Sequence, residues 1–402
     1  MSRNASRTHG REYLAIPGPS VMPEAVLREM HRAAPNIYAG ELVELTHSLI
    51  PDLRRVARTA HHVAFYIGNG HAAWEAALAN VVAAGEKVLV PATGRFGLGW
   101  ADQARGLGIE TEVLDFGKSS PVDLDKVEAA LRADTGHRFK AVLFTHVDTS
   151  SSVLNDVKAM RALLDAVGHP ALLMVDCIAS LGCDRFEMDE WGADVMVAAS
   201  QKGLMTPPGM CFVFFNDKAQ AVRAGMACVS RYWDWVPRAN PTQFFMYSGG
   251  TAPTHHLYGL RAALDMMMDE TMEGVWARHD RLAHAIWAAV DVWGQGGSLR
   301  FNIADTRLRS RAVTALRMQA PDATRLREWT EGEAGVTLGI GLGMAEPGSP
   351  ESHGFFRLGH MGHLNAQMVM AMLGSIETAF HALDIAHGAG ALSAAAKVIA
   401  KG

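Results

Sequence analysis

Only four cysteines occur in 402 residues, Cys177, Cys183, Cys211 and Cys228, and no two form a CxxC pair. A chain of this length with 49% apolar residues needs no disulfide staples, so the four read as reduced, partly buried thiols of a cytoplasmic protein. No apolar run approaches the roughly 18 residues of a membrane span. The opening MSRNASRTHGREYLAIPGPS is polar and basic and lacks the apolar stretch of a secretory signal. It reads as a flexible arm ending at Ile16. Lys/Arg runs that could track a phosphate backbone are also missing, and the net charge is −5, which argues against nucleic acid as a partner. Internal repeats and low-complexity segments are absent.

What the chain does contain is alternation. Near-continuous apolar runs at 87–92, 141–146, 171–177, 195–200 and 211–215 resemble strands buried on both faces, as in a mostly parallel sheet. Helical patterns at 71–85, 122–134 and 155–168 lie between them, which implies βαβ units with helices on both sheet faces. A long helical stretch follows residue 254, with a break expected near Glu270–Gly274. It connects to a smaller C-terminal α+β domain with strands expected near 311–317 and 354–358 and an Ala-rich helical tail. The expected division is an N-terminal arm (1–25), a large domain (26–280) and a small domain (281–402), since one core rarely serves a chain this long. The methionines Met266 to Met268 read as core packing.

Three features carry chemistry. An apolar strand delivers Ser200-Gln201-Lys202 to a loop forced by Gly203 and Pro207-Pro208-Gly209. Desolvation there disfavours the ammonium form and prepares an amine nucleophile, although a strand-edge lysine reaching solvent would leave the same pattern. Asp176 ends the strand before it, where an ionised carboxylate is costly without a partner. A pyridoxal-phosphate ring nitrogen is a natural counter-charge; a cap for the following helix, shared with Ser180, is the alternative. Finally, Gly68-Asn69-Gly70-His71 leads straight into an amphipathic helix, whose N-terminal amides form an anion site. That turn lacks the third glycine and the acidic residue of a dinucleotide fingerprint.

The strings LLMVDCIASLG, SQK and PPG, with Lys202 following Asp176 at the family's spacing, resemble the class V (fold type I) aminotransferases. Within them the chain is most similar to the serine–glyoxylate and alanine–glyoxylate family, from Pro17 to Gly362. The resemblance implies a fold type I pyridoxal-phosphate enzyme: a mostly parallel seven-stranded sheet flanked by helices, plus the small C-terminal domain. It implies that Lys202 holds the cofactor covalently and moves the substrate proton, with Asp176 on the pyridine nitrogen. Ile178 and Phe96 would pack on the two ring faces, and Thr149 would bond near the ring oxygen. Asn69, Gly70, His71 and Gln201 would hold the phosphate, joined by Thr251 from the partner of a homodimer with shared sites. Arg357 would clamp the substrate carboxylate with its planar fork.

The implied reaction moves an amino group from serine or alanine to glyoxylate or a similar 2-oxo acid. Departures at Ser248, at 35–44 and at 343–354 fall where substrate side chains are read, so aspartate–glyoxylate and pyridoxamine–pyruvate activities stay open. Arg32, Arg95 and Arg231 are the candidates for a distal carboxylate. A desulfurase-type lyase would need a cysteine in the C-terminal third, and the last one here is Cys228. A non-catalytic relative fits poorly with Lys202, Asp176 and Arg357 together. His360 and His363 have a metal-like spacing without a third ligand and read as structural, as do the doublets His61-His62 and His255-His256.

Overall fold

Strands that alternate their side chains between two helix-covered faces must be largely apolar, and the inner strands of the larger sheet are built that way. In a computed structural model describing residues 9–401, the first strand is β1 (Tyr13–Ala15). The larger sheet then takes β2 (His62–Gly68), β3 (Lys87–Ala92), β4 (Glu110–Asp115), β5 (Phe139–Thr145), β6 (Leu172–Asp176), β7 (Val195–Ala199) and β8 (Gly209–Phe215). Their order is β2-β8-β7-β6-β5-β3-β4. Only β8 runs against the rest. Along β5, Val142 and Phe144 join one core while Ala141 and Leu143 join the other.

The apolar-run criterion finds the inner strands and misses β2 and β4, which are the two edges. Edge strands meet solvent, and β4 accordingly reads ETEVLD, with both ends exposed. The helix expected at 71–85 ends earlier, at Val81, because Val82 is already extended.

A second sheet contains β9 (Arg300–Phe301), β10 (Val313–Arg317), β11 (Val336–Ile340) and β12 (Phe355–Gly359), in the order β1-β11-β12-β10-β9. Residues 13–15 were expected in a flexible arm; instead β1 pairs parallel with β11, in register Tyr13 to Val336. A partner more than three hundred residues away leaves no local signal. Of that expected arm, residues 1–8 lie outside the described residues.

The long helical stretch is two helices, Thr254–Glu270 and Met272–Gln295, broken at Thr271 with φ 67. Core membership changes within the second: Val275 packs with the large sheet, Leu282 with the small one. Met267 is buried in the large core. No helix among the described residues is long and apolar enough to cross a membrane. Cys177, Cys183 and Cys211 are buried, Cys228 is exposed, and all four are free.

Candidate active site

Because β2, β3, β5, β6 and β7 run the same way, their carboxyl ends empty onto one edge of the sheet, where open α/β folds bind ligands. Those ends carry Asn69 and Gly70, Phe96, Thr149, Asp176 and Lys202. Arg357 arrives from β12 of the second sheet.

Lys202 keeps part of its surface accessible, while its amine reaches inward and donates to the Pro17 carbonyl. Desolvation, helped by the Arg357 charge, pulls the amine down to about 8, against an opposing pull from Asp176. Asp176 is 3% exposed. Burial drives its carboxyl up to about 7, although Oδ1 accepts from the Ile178 amide (2.7 Å) and Oδ2 from the Trp74 indole (3.1 Å). An acid this buried needs a cation to stay ionised at neutral pH.

Arg357 is 6% exposed, donating from Nε to the Ile340 carbonyl (2.7 Å) and from Nη1 to the Thr149 carbonyl (2.9 Å). Burial lowers its pKa to about 10, opposed by the Asp148 charge. Among the described residues it pairs with no carboxylate. Lys202, Asp176 and Arg357 are thus within one another's electrostatic reach or share Lys202 as the link.

The anion loop closes beside them. Asn69 caps the helix Gly70–Val81, its Oδ1 accepting from His71 N (3.1 Å) and Ala72 N (3.4 Å). Gly70 abuts Ile178 so tightly that a Cβ would fall 2.6 Å from Cδ1. His71 is exposed, its ring edge-on to Trp74. Gln201 is partly buried, and its Oε1, shut off from solvent, has no hydrogen-bond partner. Phe96 stands edge-on to Trp74 at 6.3 Å. Thr251 is not brought to this cluster. It is exposed, lining a separate hollow of ≈ 410 Å³ with Tyr38 and Phe245.

Several residues that hold the site together were not singled out as site residues from sequence. Trp74 links the Phe96 ring to the Asp176 carboxylate. The segment Pro17–Ser20 buttresses the lysine loop: the Ser20 amide donates to Gln201 O (2.9 Å) and its hydroxyl to Lys202 O (2.8 Å). Gly18, at φ 94, lies against the lysine side chain with no room for a Cβ. PGPS was visible as a string; that it floors the site was not. His360 is buried between Thr314 Oγ1 (2.9 Å) and the Arg311 carbonyl (2.8 Å), bonds that fit a structural role. A cavity of ≈ 760 Å³ lined by Trp191, Trp276 and Asp184 sits at the sheet-to-sheet junction and holds none of the expected site residues.

A family model for class V aminotransferases matches residues 18–347. The chain belongs to that family. As an aminotransferase it takes amino acids and 2-oxo acids as substrates, and its family depends on pyridoxal phosphate. The serine–glyoxylate aminotransferase of Methylorubrum extorquens is 35% identical over 92% of this chain and 91% of its own length. The L-aspartate–glyoxylate aminotransferase of Paracoccus denitrificans is 32% identical, over 89% and 91% respectively. Among solved structures, pyridoxamine–pyruvate aminotransferase from Mesorhizobium loti superposes with a TM-score of 0.86 at 24% identity, covering 98% of both chains. At that identity the likeness speaks for the fold.

Proposed function

We propose that this aminotransferase uses pyridoxal phosphate to move an amino group from serine or alanine to glyoxylate or a similar small 2-oxo acid. The observation that carries it is Arg357, a buried guanidinium that among the described residues is bonded only to two carbonyls, beside a lysine whose amine is depressed to about 8. A cation held without a counter-ion next to a nucleophilic amine suits a substrate that brings its own carboxylate.

The residues fit the cofactor. The N-terminus of the helix Gly70–Val81, with Asn69, Gly70 and His71 forming the turn, suits a phosphate, and partly buried Gln201 would donate to it from its side-chain amide nitrogen. A buried carboxyl at Asp176, raised by desolvation, suits a protonated ring nitrogen. Ile178 and Phe96 supply the apolar faces, and Thr149 the group near the ring oxygen. Exposed Thr251, in a hollow lined by none of the other expected site residues, suits a homodimer in which each subunit reaches the other's phosphate.

When bound, the cofactor accepts the electron pair left as the substrate Cα–H bond breaks. Lys202 Nζ takes that proton from the α-carbon and returns it later at the other end of the transfer. Asp176 holds its charge against the ring nitrogen through bonds from Trp74 and the Ile178 amide, which fix its orientation. Arg357 holds the carboxylate of donor and acceptor in turn, so the reacting carbon stays within the lysine's reach.

One observation favours a second reading, aspartate as donor. Arg32 is tied to Glu29 and Glu41, but Arg95 lines a hollow with Phe96 and Trp74 and makes no ion pair among the described residues. A panel of amino donors against glyoxylate and pyruvate tests both. Serine or alanine is expected to win; an aspartate or glutamate optimum overturns the small-donor reading, and turnover of pyridoxamine as a free substrate overturns both.

A further inference from the structure

The helix Arg95–Gly106 opens without a cap of its own, because its N-cap residue is Gly94. The amides of Phe96 and Gly97 are instead taken by a carboxylate from another loop: Asp148 Oδ2 accepts them at 2.8 and 3.2 Å. Its second oxygen accepts the Ser150 amide (2.9 Å) and hydroxyl (2.5 Å), and the Ser150 oxygen accepts the Arg95 amide (3.0 Å). A Cβ on Gly94 would fall 2.5 Å from the Asp148 carboxyl. Gly94 has φ 163, an extended conformation open to any residue, so space rather than backbone geometry demands the glycine.

Asp148 is fully buried and makes no ion pair among the described residues. Its charge acts at a distance on Arg357, which it stabilises against desolvation. The next residue, Thr149, gives its carbonyl to Arg357. One three-residue turn therefore grips Phe96 through a side chain and Arg357 through the backbone.

We propose that Asp148 is a positioning residue of the active site, fixing Phe96 and Arg357 relative to each other so that cofactor face and substrate carboxylate stay in register. The proposal rests on the roles given to those two residues above. Its mechanism is mechanical: four hydrogen bonds at one buried carboxylate stiffen the turn and the helix start together.

The test uses the full-length chain with Asp148→Ala, Gly94→Ala and the double variant Asp148→Ala/Gly94→Ser. Three quantities are read: hydrogen exchange at the Phe96 and Gly97 amides without cofactor, the pyridoxal-phosphate dissociation constant by absorbance, and KM for glyoxylate. Asp148→Ala is expected to expose both amides, weaken cofactor binding about tenfold and raise KM about tenfold, as for loss of a buried cap. Gly94→Ala should do the same by displacing the carboxyl. The double variant, with a cap restored from residue 94 itself, should recover amide protection and cofactor affinity but not KM, because the Thr149–Arg357 link is not rebuilt. In an Arg357→Ala background, Asp148→Ala should raise KM no further. Unchanged amide exchange, or additive effects on KM, overturns the proposal. If Phe96→Ala and Arg357→Ala have their expected effects while a folded Asp148→Ala has none, this proposal alone fails. If Phe96→Ala and Arg357→Ala leave cofactor affinity and KM unchanged, the roles assigned to those residues fail and the proposal falls with them.

Discussion

Lys202, Asp176 and Arg357 are each costly where they stand, and the cost differs in kind. Lys202 and Arg357 are cations depressed by desolvation, whereas Asp176 is an acid raised by it. Borohydride reduction of the loaded protein followed by peptide mapping should put the pyridoxyl group on Lys202, and label on another lysine would sink that assignment. The Asp176 shift also sets a pH dependence. A carboxyl raised to about 7 binds its proton more tightly folded than unfolded. Its contribution to the stability of the cofactor-free chain is therefore full below about 3.8 and lost as pH rises to about 7. Asp176→Asn should remove that slope in thermal melts, and turnover should fall by orders of magnitude because the ring nitrogen loses its counter-charge. Near-normal turnover would mean that Asp176 has been misassigned. Arg357→Ala should raise KM for amino and oxo acid by about 30- to 1000-fold, the loss of a charge-assisted bidentate contact. Arg357→Lys should recover only part, since an ammonium cannot reproduce the fork.

At the scale of elements, the site is a set of strand ends and helix starts whose order follows from sheet topology. The inner strands were legible because burial on both faces writes an unbroken apolar run. β4 was not, because an edge strand keeps polar positions, and β11 was not, because VTLGI is short and mixes exposed and buried positions. The β1 segment and the turn after it bind the second sheet to the lysine loop. Gly18→Ala should therefore be felt at Lys202: φ 94 is strained for alanine, and the added methyl meets the lysine side chain. A slowed pyridoxal-phosphate association with Lys202, followed by absorbance, is the expected outcome; unaltered association would remove Pro17–Ser20 from the site's floor.

For the whole molecule, Val275 and Leu282 of the helix Met272–Gln295 join different cores. We propose that this helix is the connector between the large and small domains. The exposure of Thr251 in that separate hollow bears on assembly. Shared sites predict complementation: mixing Lys202→Ala and Thr251→Ala subunits should rebuild one intact site per mixed dimer and recover activity absent from the Lys202→Ala parent and reduced in the other. A monomer by sedimentation, or no recovery on mixing, would rule out sharing.

The sequence alone determined the family and the inner sheet, because both depend on short strings: IASLG, SQK and PPG, and the apolar runs that place Asp176 and Lys202 at strand ends. Tertiary structure decided what those residues touch. Trp74 on Asp176, Pro17 on Lys202 and Asp148 beneath Phe96 join positions 102, 185 and 52 residues apart. Local propensity carries no trace of such pairings. They arise when parallel strands bring their carboxyl ends to one edge, and a buried polar group must then find its partner among whatever the fold has gathered there.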